Sequence, residues 1–219
     1  LAGRDRTLGV AWYYAPGDDG RPDGRHLEWR DEAGWRGLDD ELHKGLAQLA
    51  GRSIAHLEGA AIWPPGTLFH REPIPSRVAR VAWAIEKRRA LEGADIVFLD
   101  PDNGIGGETK KHATFSEIRL LRKPGRAIVF ITFPGRSMKH DALLLHLHDR
   151  LEVETGARTI VTLRTNVSVP GTARPSSYVQ RQRWFTILDF DDELIARARA
   201  FSELLCSVPR VSARLSDSK

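Results

Sequence analysis

The residues best suited to chemistry follow the most apolar segment of the chain. A predicted strand over residues 95–99 runs directly into the string Asp100-Pro101-Asp102-Asn103-Gly104. Two carboxylates where a buried strand meets solvent can act as acid–base groups, hold an acceptor group or bind a hard cation such as Mg²⁺. Pro101 stiffens the exit of the strand, and Gly104 lets a ligand approach the backbone. Because Asp, Pro, Asn and Gly all favour turns, a purely structural turn is the alternative.

A second candidate site follows the predicted strand over residues 127–133. Arg136 comes after Pro134-Gly135 and precedes a helix predicted to begin near Ser137, with Lys139 and His140 one turn further on. Backbone N–H groups at a helix start and a guanidinium together suit an anion. We therefore predict that Arg136, Lys139 and His140 bind an anionic group of a substrate, the alternative being that they are ordinary surface residues at a helix start.

Other catalytic patterns are weaker. His146 and His148 point to different faces of a predicted helix, so a zinc site there is disfavoured. His70, at the end of a short predicted strand, is either a catalytic base or a hydrogen-bonded strand-end residue. The chain has no Gly-x-Ser-x-Gly elbow and no Gly-x-x-x-x-Gly-Lys-Ser/Thr phosphate loop.

The elements that would position these residues alternate along the chain. Strands are predicted over 8–14, 53–57, 67–70, 95–99, 127–133, 159–163 and 184–190, and helices over 38–49, 78–85, 115–121, 141–153 and 191–206. This order predicts one α/β domain over 1–219, a three-layer Rossmann-like sandwich with a mostly parallel sheet and an antiparallel last strand. A long loop is expected over 18–37 and a flexible tail over 207–219. Helical spacing predicts that one stripe faces the core: Val78, Val81, Ala82 and Ile85.

From Leu8 to about Phe190, this order resembles that of the class I, Rossmann-like methyltransferases that use S-adenosylmethionine. In that family a Gly-rich loop after the first strand lies against the cofactor, and Tyr14-Ala15-Pro16-Gly17 occupies that place. An acid after the second strand takes the ribose hydroxyls, and Glu58 stands there. The family's amino-methyltransferases carry a catalytic Asp/Asn/Ser-Pro-Pro-aromatic motif after the fourth strand. Asp100-Pro101 matches its first half, whereas Asp102-Asn103 departs from the second.

The resemblance implies an S-adenosylmethionine-dependent methyltransferase that acts on a nucleic acid or nucleotide-like substrate. The string from Asp100 to Asn103 would hold the acceptor, and Tyr14 to Gly17 with Glu58 would hold the cofactor. The whole Asp-Pro-Asp-Asn-Gly string is also similar to one in uncharacterised bacterial proteins. Two other functions remain open. One is a Mg²⁺-dependent phosphoesterase or nuclease in which Asp100 and Asp102 bind the metal and Arg136 the phosphate, and the other is a non-catalytic Rossmann-like binding module.

Composition and charge limit the function classes. With 219 residues, 41% hydrophobic and 28% charged, the chain can bury a sizeable core, and no apolar run approaches the length of a membrane span. A lone cysteine, Cys206, excludes an internal disulfide and fits a cytoplasmic protein. Residues 158–183 carry five arginines and no acid. This excess of positive charge favours a nucleic acid or a phosphorylated small molecule as partner.

Overall fold

The structure is a computed structural model that describes residues 1–3, 5–14, 28–30, 33–49, 53–135, 138–170 and 178–217. The strands are β1 (Leu8–Trp12), β2 (Leu68–His70), β3 (Ile96–Asp100), β4 (Ala127–Thr132), β5 (Ile160–Pro170), β6 (Tyr178–Leu188) and β7 (Val211–Asp217). The helices are α1 (Ala33–Arg36), α2 (Asp40–Ala47), α3 (Ile54–Glu58), α4 (Arg80–Ala90), α5 (Phe115–Leu121), α6 (His140–Thr155) and α7 (Asp192–Cys206).

All of these strands form one sheet in the order β2-β1-β3-β4-β6-β5-β7. The first four are parallel to one another, and each remaining neighbour pair is antiparallel. The parallel strands are short apolar segments joined by helices, whereas β5 and β6 form a long hairpin. The predicted α/β fold is therefore confirmed, with an antiparallel half of three strands rather than one.

Helices cover both faces of the sheet. On one face the largest apolar cluster joins α4, α5 and α6 to the strands through residues such as Trp83, Ile118 and Leu151. On the opposite face Leu194 and Ala198 of α7 pack on Val161 and Ile187. The middle strands are buried between the two helical layers, which explains why their sequences are nearly continuous apolar runs.

The predicted core stripe of the helix near residue 80 is wrong. Val78, Val81 and Ile85 are exposed, with Val78 at 96%, while the opposite face of α4 is buried. That face includes Arg80 and Lys87. The helix turns this face inward because Trp83 and Ala84 pack in the core and the two charges meet the buried carboxylate of Glu117.

Three further predictions about elements are corrected. Residues 53–57 were expected to be a strand, but Ser53 caps α3 by accepting a hydrogen bond from the backbone N–H of His56. The expected tail over 207–219 contains β7, which pairs with β5 and buries Val211. The expected loop over 18–37 includes a short 3-10 helix, Glu28–Arg30, and α1; much of the remaining loop lies outside the described residues.

No helix in the described part of the chain is long and apolar enough to cross a membrane.

Candidate active site

The sheet changes winding direction between β1 and β3. From β1 the chain moves to the outer strand β2, then crosses back to β3 on the other side of β1. In open α/β sheets ligands bind at the carboxyl ends of the strands at such a switch point. The last paired residues there are Trp12 and Asp100. The strand order therefore places Asp100 at the position where a ligand is expected.

Asp100 ends β3 and is only partly exposed. Within the described residues its carboxylate has no hydrogen-bond or salt-bridge partner, unlike the carboxylates of Glu117, Asp189 and Asp191. Burial, and then the charge of Asp102, raise the pKa of Asp100 to about 6. A carboxylate that is costly to ionise and has no partner is typical of a group that serves a ligand.

The rest of the string forms a compact turn. Pro101 is buried, whereas Asp102 and Asn103 are exposed. The backbone N–H of Asn103 donates to the carbonyl of Lys111 at 2.8 Å, and Asp102 lies 3.9 Å from the Lys111 ammonium. The structure thus brings Asp100 and Asp102 together at one loop, but only Asp100 is partly buried.

Gly104 fixes this loop against the neighbouring strand. Its φ is +83°, and a Cβ there would lie 3.0 Å from the Cα of Thr132, the last residue of β4. Only glycine accommodates both the left-handed backbone and that approach. The hydroxyl of Thr132 is buried without a hydrogen-bond partner in the described residues.

The ion network beside the loop after β3 was not predicted. Arg80 donates to the carbonyls of Thr109 (2.5 Å) and His112 (2.6 Å), and its Nε donates to Glu117 at 2.6 Å. Tyr13, which follows β1, donates to the same carboxylate at 2.6 Å. The network therefore ties α4, α5, the end of β1 and the loop after β3 into one rigid support.

The charges of this network are shifted by burial and by one another. Burial lowers the pKa of Lys87 to about 8, while Glu117 acts in the opposite direction. Burial acts to raise the pKa of Glu117, but Lys87 and the hydrogen bonds from Arg80 and Tyr13 outweigh it and lower that pKa. Lys87 also lies over the rings of Tyr13 and Trp83, at 4.4 and 4.0 Å from their centroids. One feature of the sequence could have drawn attention to Glu117: it stands three residues after Thr114, the spacing of a capping box. Both hydrogen bonds of that box are present in the structure.

His70 ends β2 beside this network. Both of its ring nitrogens are buried and lack a hydrogen-bond partner in the described part of the chain. Burial, and then the charge of Lys87, lower the pKa of His70 to about 4, so the ring is neutral at pH 7. His70 is therefore not the hydrogen-bonded strand-end residue of the sequence alternative.

The structure describes two of the residues expected to hold the cofactor, Tyr14 and Glu58. Glu58 ends α3 rather than a strand, accepts a 2.8 Å hydrogen bond from the indole of Trp12, and pairs with Arg71 at 3.1 Å. Tyr14 follows β1, and its carbonyl accepts from the backbone N–H of Ile74. Ala15, Pro16 and Gly17 lie outside the described residues.

The predicted anion site lies at the start of α6. That helix begins at His140, three residues later than expected, with Lys139 in the capping position but without a side-chain capping bond. The His140 ring meets Trp184 edge to face at 5.7 Å. Arg136 lies outside the described residues.

The metal alternative rests on Asp100 and Asp102 alone. Across the described ranges no three His, Cys, Asp or Glu side chains are grouped so that they could hold a metal ion. A Mg²⁺ ion bound to this pair would complete its shell with waters or with substrate oxygens.

Comparison with known proteins adds a resemblance in fold only. No family model matches the chain, and no curated protein matches it. Protein LPL1258 from Legionella pneumophila str. Philadelphia 1, of the family model DUF519, aligns over 97% of this chain and 89% of its own, with 11% identity and a TM-score of 0.44. A precorrin-6y C5,15-methyltransferase from Geobacter metallireducens GS-15 aligns over 86% and 82%, with 11% identity and a TM-score of 0.32. At these values neither structure bears on the activity of this chain.

Proposed function

We propose that the protein is an S-adenosylmethionine-dependent methyltransferase acting on a nucleic acid or nucleotide-like substrate, with its reacting site at the carboxyl ends of β1 and β3. The observation that carries the proposal is the Asp100 carboxylate at the switch point, which has no hydrogen-bond or salt-bridge partner in the described residues. The backbone of Asp100 is in register with that of Trp12. The order of elements that resembles this enzyme class supports the choice of cofactor.

The polar groups at this edge fit such a cofactor. S-adenosylmethionine carries ribose hydroxyls, amino groups and a positive sulfonium, so it needs hydrogen-bond acceptors and negative charge. Asp100 supplies negative charge, and the ring nitrogens of His70, which have no partner in the described residues, supply a hydrogen-bond acceptor. Each carboxylate oxygen of Glu58 accepts one contact already and can accept one more. Glu58 would thus retain its contact with Trp12 while binding a ribose hydroxyl.

The chemistry asked of the chain is modest. When bound, S-adenosylmethionine supplies a methyl group whose bond to sulfur breaks with the electron pair remaining on sulfur. Asp100 would accept a hydrogen bond from an N–H of the acceptor and so align its lone pair with the methyl carbon. As the new N–C bond forms, the proton leaves the nitrogen for the Asp100 carboxylate. A pKa of about 6 leaves that carboxylate ionised at pH 7 and able to take the proton.

Binding and transfer are tested separately. Isothermal titration with S-adenosylmethionine should give saturable heat, and methyl-tritiated cofactor should label a mixed RNA and DNA substrate. Asp100→Asn should lower labelling at least about a hundredfold, as loss of a proton acceptor implies. Glu86→Gln on the exposed face of α4 is the matched control and should label normally.

The same titration distinguishes the alternatives. No heat with millimolar S-adenosylmethionine, from protein shown to be folded, would refute the proposal. Heat with Mg²⁺ that is lost in both Asp100→Asn and Asp102→Asn would support a phosphoesterase or nuclease instead. Cofactor binding without any labelled product would leave a binding module.

A further inference from the structure

A cavity of about 210 Å³ lies on the antiparallel half of the sheet, against the start of α6. Arg164 of β5 is paired with Trp184 of β6 and with Arg214 of β7, so the three side chains share one face. Trp184 is in turn paired with Thr132, the residue against which Gly104 packs. We call this cavity the hairpin pocket. Its polar lining comes mainly from His140, Arg164, Asn166, Gln182, Ser212 and Arg214.

The two arginines of the hairpin pocket contact a single carboxylate in the described residues, that of the exposed Asp141 at the start of α6. Arg164 and Arg214 both donate to the same oxygen of Asp141, at 2.5 and 3.1 Å. Each guanidinium has five N–H donors, and in the described residues neither has another hydrogen-bond partner. Two guanidiniums that share one carboxylate oxygen retain donors for a second anion.

Two more features of the hairpin pocket point to the ligand. His140 lines the pocket and begins a helix of 16 residues whose capping residue, Lys139, makes no side-chain capping bond. The first backbone N–H groups of this helix have no partner among the described residues. The side-chain oxygen of Asn166 is buried without a hydrogen-bond partner in the described residues. It therefore suits a ligand that also carries a hydroxyl or amino donor.

We propose that the hairpin pocket binds a phosphate group that belongs to a nucleotide or to a nucleic acid strand. Arg164, Arg214 and the start of α6 contact the phosphate, which competes with Asp141 for the guanidinium donors. Asn166 accepts a hydrogen bond from a hydroxyl or amino group of the same ligand. Phosphate binding here stands without the proposed function; the identification of this phosphate as part of the methyl acceptor rests on it.

The test uses fluorescence anisotropy with a labelled 12-nucleotide single strand, and competition by a nucleoside monophosphate and by inorganic phosphate. Arg214→Gln should weaken strand binding about tenfold, as loss of one charged hydrogen bond implies. It should also lower, by about one, the slope of the logarithm of affinity against the logarithm of salt concentration. Asp141→Asn should strengthen binding, because the competing carboxylate is gone. Arg89 is an exposed arginine on α4, on another element of the fold, and Arg89→Gln should leave strand binding unchanged.

The outcomes assign the source of the phosphate. The nucleoside monophosphate should displace the labelled strand at a much lower concentration than inorganic phosphate does. That result supports phosphate binding in the pocket together with the Asn166 contact. A strand that binds more tightly than the monophosphate, with both sensitive to Arg214→Gln, identifies a nucleic acid. Unchanged affinity of every probe in both Arg214→Gln and Asp141→Asn would overturn the proposal.

Failure here is distinct from failure of the proposed function. Arg214 is remote from Asp100 along the sheet, so heat with S-adenosylmethionine should be the same in Arg214→Gln as in the wild type. If the wild type gives no heat with S-adenosylmethionine but binds the labelled strand, only the methyltransferase proposal is refuted.

Discussion

Arg80 of α4 and Glu117 of α5 form a buried ion pair, with 2.6 Å between Nε and Oε1. Their side chains are 6% and 3% exposed. Arg80 also donates hydrogen bonds to two carbonyls of the loop after β3, so the ion pair connects α4 and α5 to the loop of the candidate site. The loop that follows Asp100 is therefore anchored to a buried ion pair.

Glu117→Gln should destabilise the fold strongly. The variant leaves Arg80 and Lys87 buried beside a neutral amide, and removing one partner of a buried pair costs about 3–5 kcal/mol of the free energy of unfolding. Urea denaturation at pH 7 measures this. Glu86→Gln breaks an exposed pair with Arg89 and should cost less than about 1 kcal/mol. Equal losses in the two variants would contradict the role given to the network.

Asp100→Asn should stabilise the protein at pH 7. The pKa of Asp100 is raised from 3.8 to about 6, so its protonation favours folding below pH 3.8, and that contribution is lost as the pH rises through 6. The amide does not ionise, so the variant should gain about 1–3 kcal/mol at pH 7 and nothing at pH 3.5. Urea midpoints at both pH values decide, and a variant less stable than the wild type at pH 7 would mark Asp100 as a structural turn residue.

His70→Gln should make the protein more stable than the wild type at acid pH, whereas Asp100→Asn does so at neutral pH. The folded chain resists protonation of His70, whose pKa is lowered from 6.5 to about 4, so stability is lost as the pH falls between those values. The wild type should lose about 2–3 kcal/mol from this group, and the variant should not. Protonation of Asp100 stabilises the fold over the same pH range and partly offsets this loss. The measurement is therefore the difference in free energy of unfolding between His70→Gln and the wild type at each pH. His146→Gln, exposed on α6, is the control.

The sequence was informative where burial alone decides the structure. The continuous apolar runs of β3 and β4 predicted parallel strands, and the structure has Asp100 at the carboxyl end of β3, as the sequence indicated. The face of α4 was missed because Arg80 and Lys87 find their partner in Glu117, at least 30 residues away, which helical periodicity cannot register. Residues 53–57 were missed because a five-residue apolar segment does not distinguish a strand from a short capped helix.

Gly104→Ala tests whether the loop after β3 must lie against β4. An alanine there would adopt a φ of +83° and place its Cβ 3.0 Å from the Cα of Thr132, so either the loop or the strand end must move. We expect a loss of about 1–3 kcal/mol in the free energy of unfolding, with a larger fractional loss of methyl transfer because Asp100 moves with the loop. Gly107→Ala is the matched control, since nothing lies within 4 Å of a Cβ at Gly107 and its backbone is not left-handed. If both variants keep wild-type stability and wild-type transfer, the close packing of Gly104 on Thr132 does not position the site.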